Sequence, residues 1–446
     1  MVKEYSEIFK SIVKSLQDDN FDEVVNEILS RPDVDREKLA KAVSSLCGVE
    51  LEYGDNFVGK LRAAMAGYKP DHKIVSKISP CSADCGYGES PCMKSCPFDA
   101  IIFDKDKNNS VIDKSKCTDC GFCVDACPTG ALVDKVEFLP LFELMKSGSP
   151  VIAAVAPAIS GQFGENVTID KLRTAFRVMG FQDMVEVAFF ADMLTLKESV
   201  EFDHLVKKKE DLMITSCCCP MWVGMLKRVY ENLVKHVSPS VSPMIAAGRV
   251  LKKLNPDVKV VFIGPCIAKK AEAKEKDLAG DIDFVLTFTE LRDIFESLEI
   301  DPSKFEETPS DDYATRGGKL YARAGGVSTA VAESLEKLFP EKYKLLKTVA
   351  VDGVKDCKAI LEKAQKGEVD ANFIEGMGCV GGCVGGPKAI VSREIGKEAV
   401  DSYADSSSTK VSTDSQCIKD IFHKIGIFSM EDVKKGENIE IFERKF

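Results

Sequence analysis

Leu212-Met213-Ile214-Thr215-Ser216-Cys217-Cys218-Cys219-Pro220-Met221-Trp222 is a short apolar run that stops on three cysteines, a proline and the only tryptophan of the chain. A short apolar run closed by a turn signal reads as a buried strand. Two other stretches repeat the arrangement. Val261-Phe262-Ile263-Gly264 leads into Pro265-Cys266-Ile267-Ala268-Lys269-Lys270-Ala271-Glu272. Phe373-Ile374-Glu375-Gly376-Met377 leads into Gly378-Cys379-Val380-Gly381-Gly382-Cys383. In open α/β sheets ligands sit beyond the carboxyl ends of the strands, so three such motifs can meet in one crevice. Their thiols suffice for a metal cluster, and the glycines of the third let backbone approach a bulky inorganic group.

Strand-like runs occupy 151–155, 212–214, 258–263, 284–288, 348–351 and 371–374. Helical patterns fall between several of them, at 169–178, 222–233, 290–298 with Thr289 as N-cap, and 330–338. This alternation predicts an α/β unit of mostly parallel sheets flanked by helices. Beyond Lys388 the chain is more polar: 401–409 reads as a loop and 418–427 as a last helix. Up to about residue 75 the periodicity is helical, as in Phe9, Ile12, Val13 and Leu16, and after a turn at 31–33 again over 36–46. The expected organisation is a helical region 1–77, a cysteine-rich module 78–140 and the α/β unit 141–446.

The cysteine-rich module carries a second kind of signal. Cys117-x2-Cys120-x2-Cys123-x3-Cys127-Pro128 is the run with which bacterial-type ferredoxins bind 4Fe–4S cubes. Cys81-x3-Cys85-x6-Cys92-x3-Cys96-Pro97 is a looser copy that keeps the terminal C-x3-C-P. The fourth cysteine of such a run ligates the other cube. One cube therefore takes Cys81, Cys85, Cys92 and Cys127, and the other Cys96, Cys117, Cys120 and Cys123. C-x2-C pairs also bind zinc, but tandem C-P endings belong to ferredoxin-like α+β modules.

Composition narrows the class. The chain has 446 residues, 17 cysteines and a formal net charge of −11. An acidic surface does not favour nucleic acid or anionic membrane. The start lacks an apolar signal region, and the most apolar segment is too short to span a bilayer. A cytoplasmic protein that binds neither membrane nor nucleic acid is expected, and the cysteines point to metal or redox chemistry rather than disulfides. Cys47, Cys357 and Cys417 match no ligand motif and read as buried small hydrophobes.

Together the three strand-end motifs resemble those of [FeFe]-hydrogenases, T-S-C-C-P-x-W, P-C-x-x-K-x-x-E and E-x-M-x-C-x-G-G-C-x-x-G, and the similarity runs from about 78 to 390. The resemblance implies reversible reduction of protons to H2 at an H-cluster, a 4Fe–4S cube joined to a diiron unit with CO, cyanide and azadithiolate. It implies Cys219, Cys266, Cys379 and Cys383 as cube ligands, and Cys218 as the proton-exchanging thiol. Lys269 would donate to a cyanide, Ala156-Pro157 would line the opposite one, and Met377 would pack beside the diiron unit. Glu198, Glu201 and Ser238 fall at the family's proton-path positions. Two accessory 4Fe–4S clusters, ferredoxin or a similar small electron carrier, and maturation proteins for the diiron unit complete the implied set. Two other readings accompany it: an H2 or redox sensor with low turnover, and a non-enzymatic iron–sulfur assembly factor without the diiron unit.

The first motif has one cysteine too many. Aligned on Cys-Pro-x-Trp the surplus is Cys217, and the T-S-C-C-C-P form resembles a divergent subgroup. Gly264 stands where many members have methionine, which predicts open space beside the diiron unit. Pro387 interrupts the glycines after Cys383.

Overall fold

In the computed structural model, residues 3–446 are described, except 33, 70–72, 82–84, 86–89, 107–108, 216–217, 310–312 and 436–437. Four helices open the chain: Lys3–Gln17, Phe21–Leu29, Arg36–Leu46 and Phe57–Ala66. The first buries Ile8, Phe9, Ile12, Val13 and Leu16 along one stripe, as its 3.6-residue spacing dictates. The third starts at Asp35, whose carboxylate accepts from the Lys38 amide at 3.0 Å.

The cysteine-rich module is built on short antiparallel pairs, and its first strand lies before residue 78, at the end of the stretch expected to be helical. Strand β1 (Val75–Lys77) pairs with β4 (Leu132–Asp134), and β2 (Ile101–Asp104) with β3 (Asn109–Ile112). With strands of three or four residues and two single-turn helices, little apolar core is available, and the cysteines fill its centre.

Two parallel sheets form the rest. One has the order β6-β5-β8-β9, from Asp183–Glu186, Val151–Val155, Lys259–Gly264 and Phe284–Thr287. The other has the order β10-β11-β7, from Thr348–Asp352, Phe373–Met377 and Met213–Ile214. Every pairing in both is parallel. In the first sheet the chain passes from β5 outward to β6, then returns to β8 on the other side. In open α/β sheets such a reversal marks the place beyond the carboxyl ends of the strands, here β5 and β8, where ligands sit. The α/β reading with parallel sheets therefore holds.

Several local expectations are corrected. Strand β6 was not expected; only Met184 of its four residues is buried, so its apolar signal is weak. The helix expected from 290 begins at Phe288, with Thr287 as its cap rather than Thr289. Glu290 reaches back to the Thr287 amide at 2.8 Å and completes a capping box. The helix after the triplet is Pro220–Arg228, followed by a 3-10 turn, and the expected loop at 401–409 is helical to Asp405. Cys47 and Cys357 are buried as expected, whereas Cys417 is only partly so.

The module is clamped to the α/β unit by buried charges. Lys270 donates to Asp134 at 2.8 Å and to Glu290 at 2.6 Å, and Lys388 donates to the other oxygen of Asp134 at 3.1 Å. Burial opposes the Asp134 charge, yet the two ammonium groups hold its carboxyl far below the usual range. Removing one member would strand a buried charge, which typically costs about 3–5 kcal/mol. No helix among the described residues is long and apolar enough to cross a membrane.

Candidate functional site

The three cysteine motifs, two from one sheet and one from the other, come together at their thiols. Strands β7 and β11 are parallel neighbours, with Ile374 opposite Ile214, so the first and third motifs leave the same sheet side by side. The Gly378 amide donates to Cys219 Sγ at 3.3 Å, which ties them together. Trp222 Nε1 donates to the Thr215 carbonyl at 2.8 Å, folding the helix that starts at Pro220 back against its strand. Gly376 is required because any side chain there would enter the Trp222 ring. The second motif arrives from β8 in the other sheet. The Pro265 carbonyl accepts from the Lys388 amide at 3.1 Å, pinning it to the segment after Cys383.

Cys219, Cys266, Cys379 and Cys383 lie close enough to feel one another's charge. Burial, then these neighbours, pushes Cys266 up to about 11, Cys383 up to about 12 and Cys379 well above its ordinary value. Metal-free, those three thiols stay protonated at neutral pH; a metal supplies the positive charge that adjoining thiolates need. Among the described residues no three Cys, His, Asp or Glu side chains can hold a single ion. A cube binds each thiolate to a different iron, so the four-sulfur donor set fits a 4Fe–4S group.

Lys269 stands at this cluster of thiols. Burial opposes its charge, but the Glu272 carboxylate, 2.7 Å away, and the sulfurs of Cys266 and Cys383 raise it, so the ammonium persists. Met377 lies against Gly382: a Cβ there would stand 2.7 Å from its Sδ and 2.5 Å from the Ala324 amide. With φ at +85°, Gly382 is doubly required. Ala156 and Pro157 follow β5, and the Ala156 amide donates to the Ile263 carbonyl at 2.9 Å. The space expected at Gly264 is filled: the Phe262 ring lies 2.5 Å from where a Cβ would be, and Ala156 Cβ 3.5 Å.

Glu198 and Glu201 lie on the helix Val187–Leu205, which is buried along nearly its whole length. Glu198 is fully buried, with both carboxylate oxygens within 2.9 Å of Thr215 Oγ1 on the loop that carries Cys218. Glu201 accepts from Ser238 at 2.6 Å, and Ser240 Oγ stands 2.9 Å from Ser238 Oγ, placed to donate to it. Cys218 is half-buried at the end of that loop. Cys217 lies outside the described residues. Thr215, Ser240 and Lys197 escaped the sequence reading. Thr215 was visible in the motif itself, and Glu272 could have been paired with Lys269 by its i, i+3 spacing; nothing marked Lys197.

The thiols of the cysteine-rich module lie in two neighbouring sets. Cys85 and Cys92 feel Cys81 and Cys127, and these four line one cavity with Lys77 and Ser110. Cys120 and Cys123 feel Cys96 and Cys117. Burial raises Cys117 to about 11 and Cys120 to about 12. The groups form a chain: Cys123 feels Cys92, and Cys379 of the strand-end site feels Cys120. The group containing Cys120 is thus the one nearer the three-motif site, an order that spacing alone does not give.

Comparison with known proteins gives the family. Residues 149–387 match the family "Iron only hydrogenase large subunit, C-terminal domain", and residues 110–133 match a 4Fe-4S binding domain. The NADP-reducing hydrogenase subunit HndD of Solidesulfovibrio fructosivorans is 28% identical over 60% of this chain and 55% of its own. Iron hydrogenase 1 of Clostridium pasteurianum is 27% identical over 65% of this chain and 66% of its own. The chain thus spans between half and two thirds of these two relatives. Protein NAR1 of Arabidopsis thaliana is more distant, at 22% over 62% of this chain and 72% of its own. In fold, a variant of apo [FeFe]-hydrogenase HydA1 from Chlamydomonas reinhardtii matches with a TM-score of 0.56 at 22% identity, over 67% of this chain and 93% of that one. From strand-end cysteines to whole-domain match, the chain belongs to the iron-only hydrogenase large-subunit family.

Proposed function

We propose that this protein is a working [FeFe]-hydrogenase that interconverts protons, electrons and H2. The observation that carries the reading is the coexistence of the four-thiol site with Cys218, Lys269 and Met377 around it and a carboxylate–hydroxyl series behind it. Cys219, Cys266, Cys379 and Cys383 would hold the cube. When bound, an H-cluster supplies the redox-active iron at which protons and electrons combine. The chain's own part is positional and electrostatic. The Lys269 ammonium offers donors to an anionic diatomic ligand, Met377 packs dry beside it, and Cys218 carries the proton. Glu198, Glu201 and Ser238 pass protons inward through the apolar helix layer, each within hydrogen-bond reach of a hydroxyl or carboxylate partner.

Electrons would enter through the two accessory 4Fe–4S clusters. The open groove beside Cys117 is lined by Lys41, Lys73, Lys77 and Lys114 together with Glu50 and Asp119, a net excess of positive charge. On a chain of net charge −11 this local lysine set suits an acidic ferredoxin or similar carrier. Maturation proteins would supply the diiron unit, and the cytoplasm is the compartment that suits reduced thiols.

The decisive experiment is an infrared spectrum of protein matured and purified without oxygen. Metal-bound CO and cyanide bands with H2 turnover are expected. Full iron content with neither bands nor turnover after competent maturation would leave a cube-only protein. The similarity to Protein NAR1 makes that the second reading.

A further inference from the structure

The C-terminal tail reaches the proton-path region. The Val241 amide donates to the Phe442 carbonyl and the Arg444 amide to the Pro239 carbonyl, both at 2.8 Å. Phe442 is buried against Phe422, so the residue between these anchors, Glu443, has a fixed seat. Its Oε1 lies 3.6 Å from Lys197 Nζ. Lys197 also pairs with Glu201 on its own helix and lies 3.2 Å from Ser240 Oγ. The Lys197 side chain is 2% exposed, while that of Glu443 is 36% exposed. A charge-bearing series therefore leads from water to Glu201: Glu443, Lys197, Glu201. From Glu201 the Ser238 hydroxyl continues inward.

Resting on the hydrogenase reading above, we propose that Glu443 is the water-facing end of the proton route, with Lys197 as the relay between it and Glu201. The transfers balance without a further reagent. The Lys197 ammonium gives a proton to the Glu201 carboxylate and becomes an amine; the Glu443 carboxyl, charged with a proton from water, restores the ammonium and returns to carboxylate. The other groups facing this series are Ser238, Ser240 and the Arg249 guanidinium, which donates to the Glu443 carbonyl at 2.6 Å. Glu201 is itself 15% exposed, so the rival is direct entry from water at Glu201.

The test uses the fully matured protein and three variants. Glu443→Gln keeps the shape and cannot carry the proton; Glu443→Asp keeps the carboxylate; Lys197→Arg keeps the charge and cannot release its proton. Iron content and melting temperature should match wild type in all three. Turnover should fall roughly tenfold in E443Q and K197R with a larger solvent deuterium effect, and E443D should recover most of it. A readout independent of turnover is the rate at which the CO and cyanide bands respond to a pH jump, which should slow by a similar factor. Wild-type pH-jump rates and isotope effect in E443Q would overturn the route alone and leave the hydrogenase reading standing. Absence of those bands in matured wild type would remove the hydrogenase reading and the route with it.

Discussion

Gly121 and Ile267 touch so closely that a Cβ on the glycine would stand 2.5 Å from Ile267 Cδ1. Gly121 follows Cys120 of the accessory group and Ile267 follows Cys266 of the strand-end site. Bare backbone on one side is what lets the two metal sites approach. With φ at +82°, Gly121 is also in the left-handed region. Gly121→Ala should therefore destabilise the protein by about 1–3 kcal/mol through strain and overpacking. Its melting temperature should fall, and carrier-driven turnover should drop while total iron is retained.

Cys218→Ala removes the thiol placed to exchange protons with the cofactor, but no proposed cube ligand. Turnover should be lost while iron content and the CO and cyanide bands persist. Near-normal turnover would take Cys218 out of the mechanism.

Ligand substitutions should separate the sites. Cys219→Ser should remove the iron of the cube and of the diiron unit joined to it and spare the accessory signals in electron paramagnetic resonance. Cys92→Ser should do the converse. Loss of both kinds of signal in either variant would mean that the grouping of thiols is wrong.

Asp192 gives a pH prediction that involves none of the proposed cluster ligands. It is fully buried and accepts from the Thr315 amide at 2.7 Å, the Thr315 hydroxyl at 2.5 Å and the Ser412 hydroxyl at 2.7 Å. Burial outweighs these bonds and raises its carboxyl to about 6. Folded protein therefore binds this proton more tightly than unfolded chain. The stability it lends is complete below about pH 4 and is lost as pH rises through 6, by roughly 3 kcal/mol. Asp192→Asn should flatten that part of the stability–pH curve, measured by denaturant midpoint from pH 4 to 7. An unchanged slope would show that Asp192 does not titrate there.

Much of the site was legible because cluster ligation is written in local spacing. Cys117, Cys120 and Cys123 must lie on one tight loop, and a cysteine just past an apolar run must sit at a strand end. What was hidden depends on contacts across long stretches of chain. The helix Val187–Leu205 is buried on nearly all sides, so it lacks the one-sided apolar stripe by which helices are recognised, and the burial of Asp192, Lys197 and Glu198 could not be inferred from it. The choice between Thr287 and Thr289 as cap was open to a closer reading, since Glu290 is three residues beyond Thr287. The filling of space at Gly264 by Phe262 was not, because it depends on a ring turning back over its own strand.

The four thiols of the strand-end site are divided between the two parallel sheets: Cys266 follows β8, while Cys219, Cys379 and Cys383 follow β7 and β11. A cluster seated there would be a rivet across a seam rather than an ornament in a finished pocket. Anything that binds the folded form alone adds its binding free energy to folding. Metal-free chain should part first along that seam, and cube insertion should close it before any later cofactor piece can be retained.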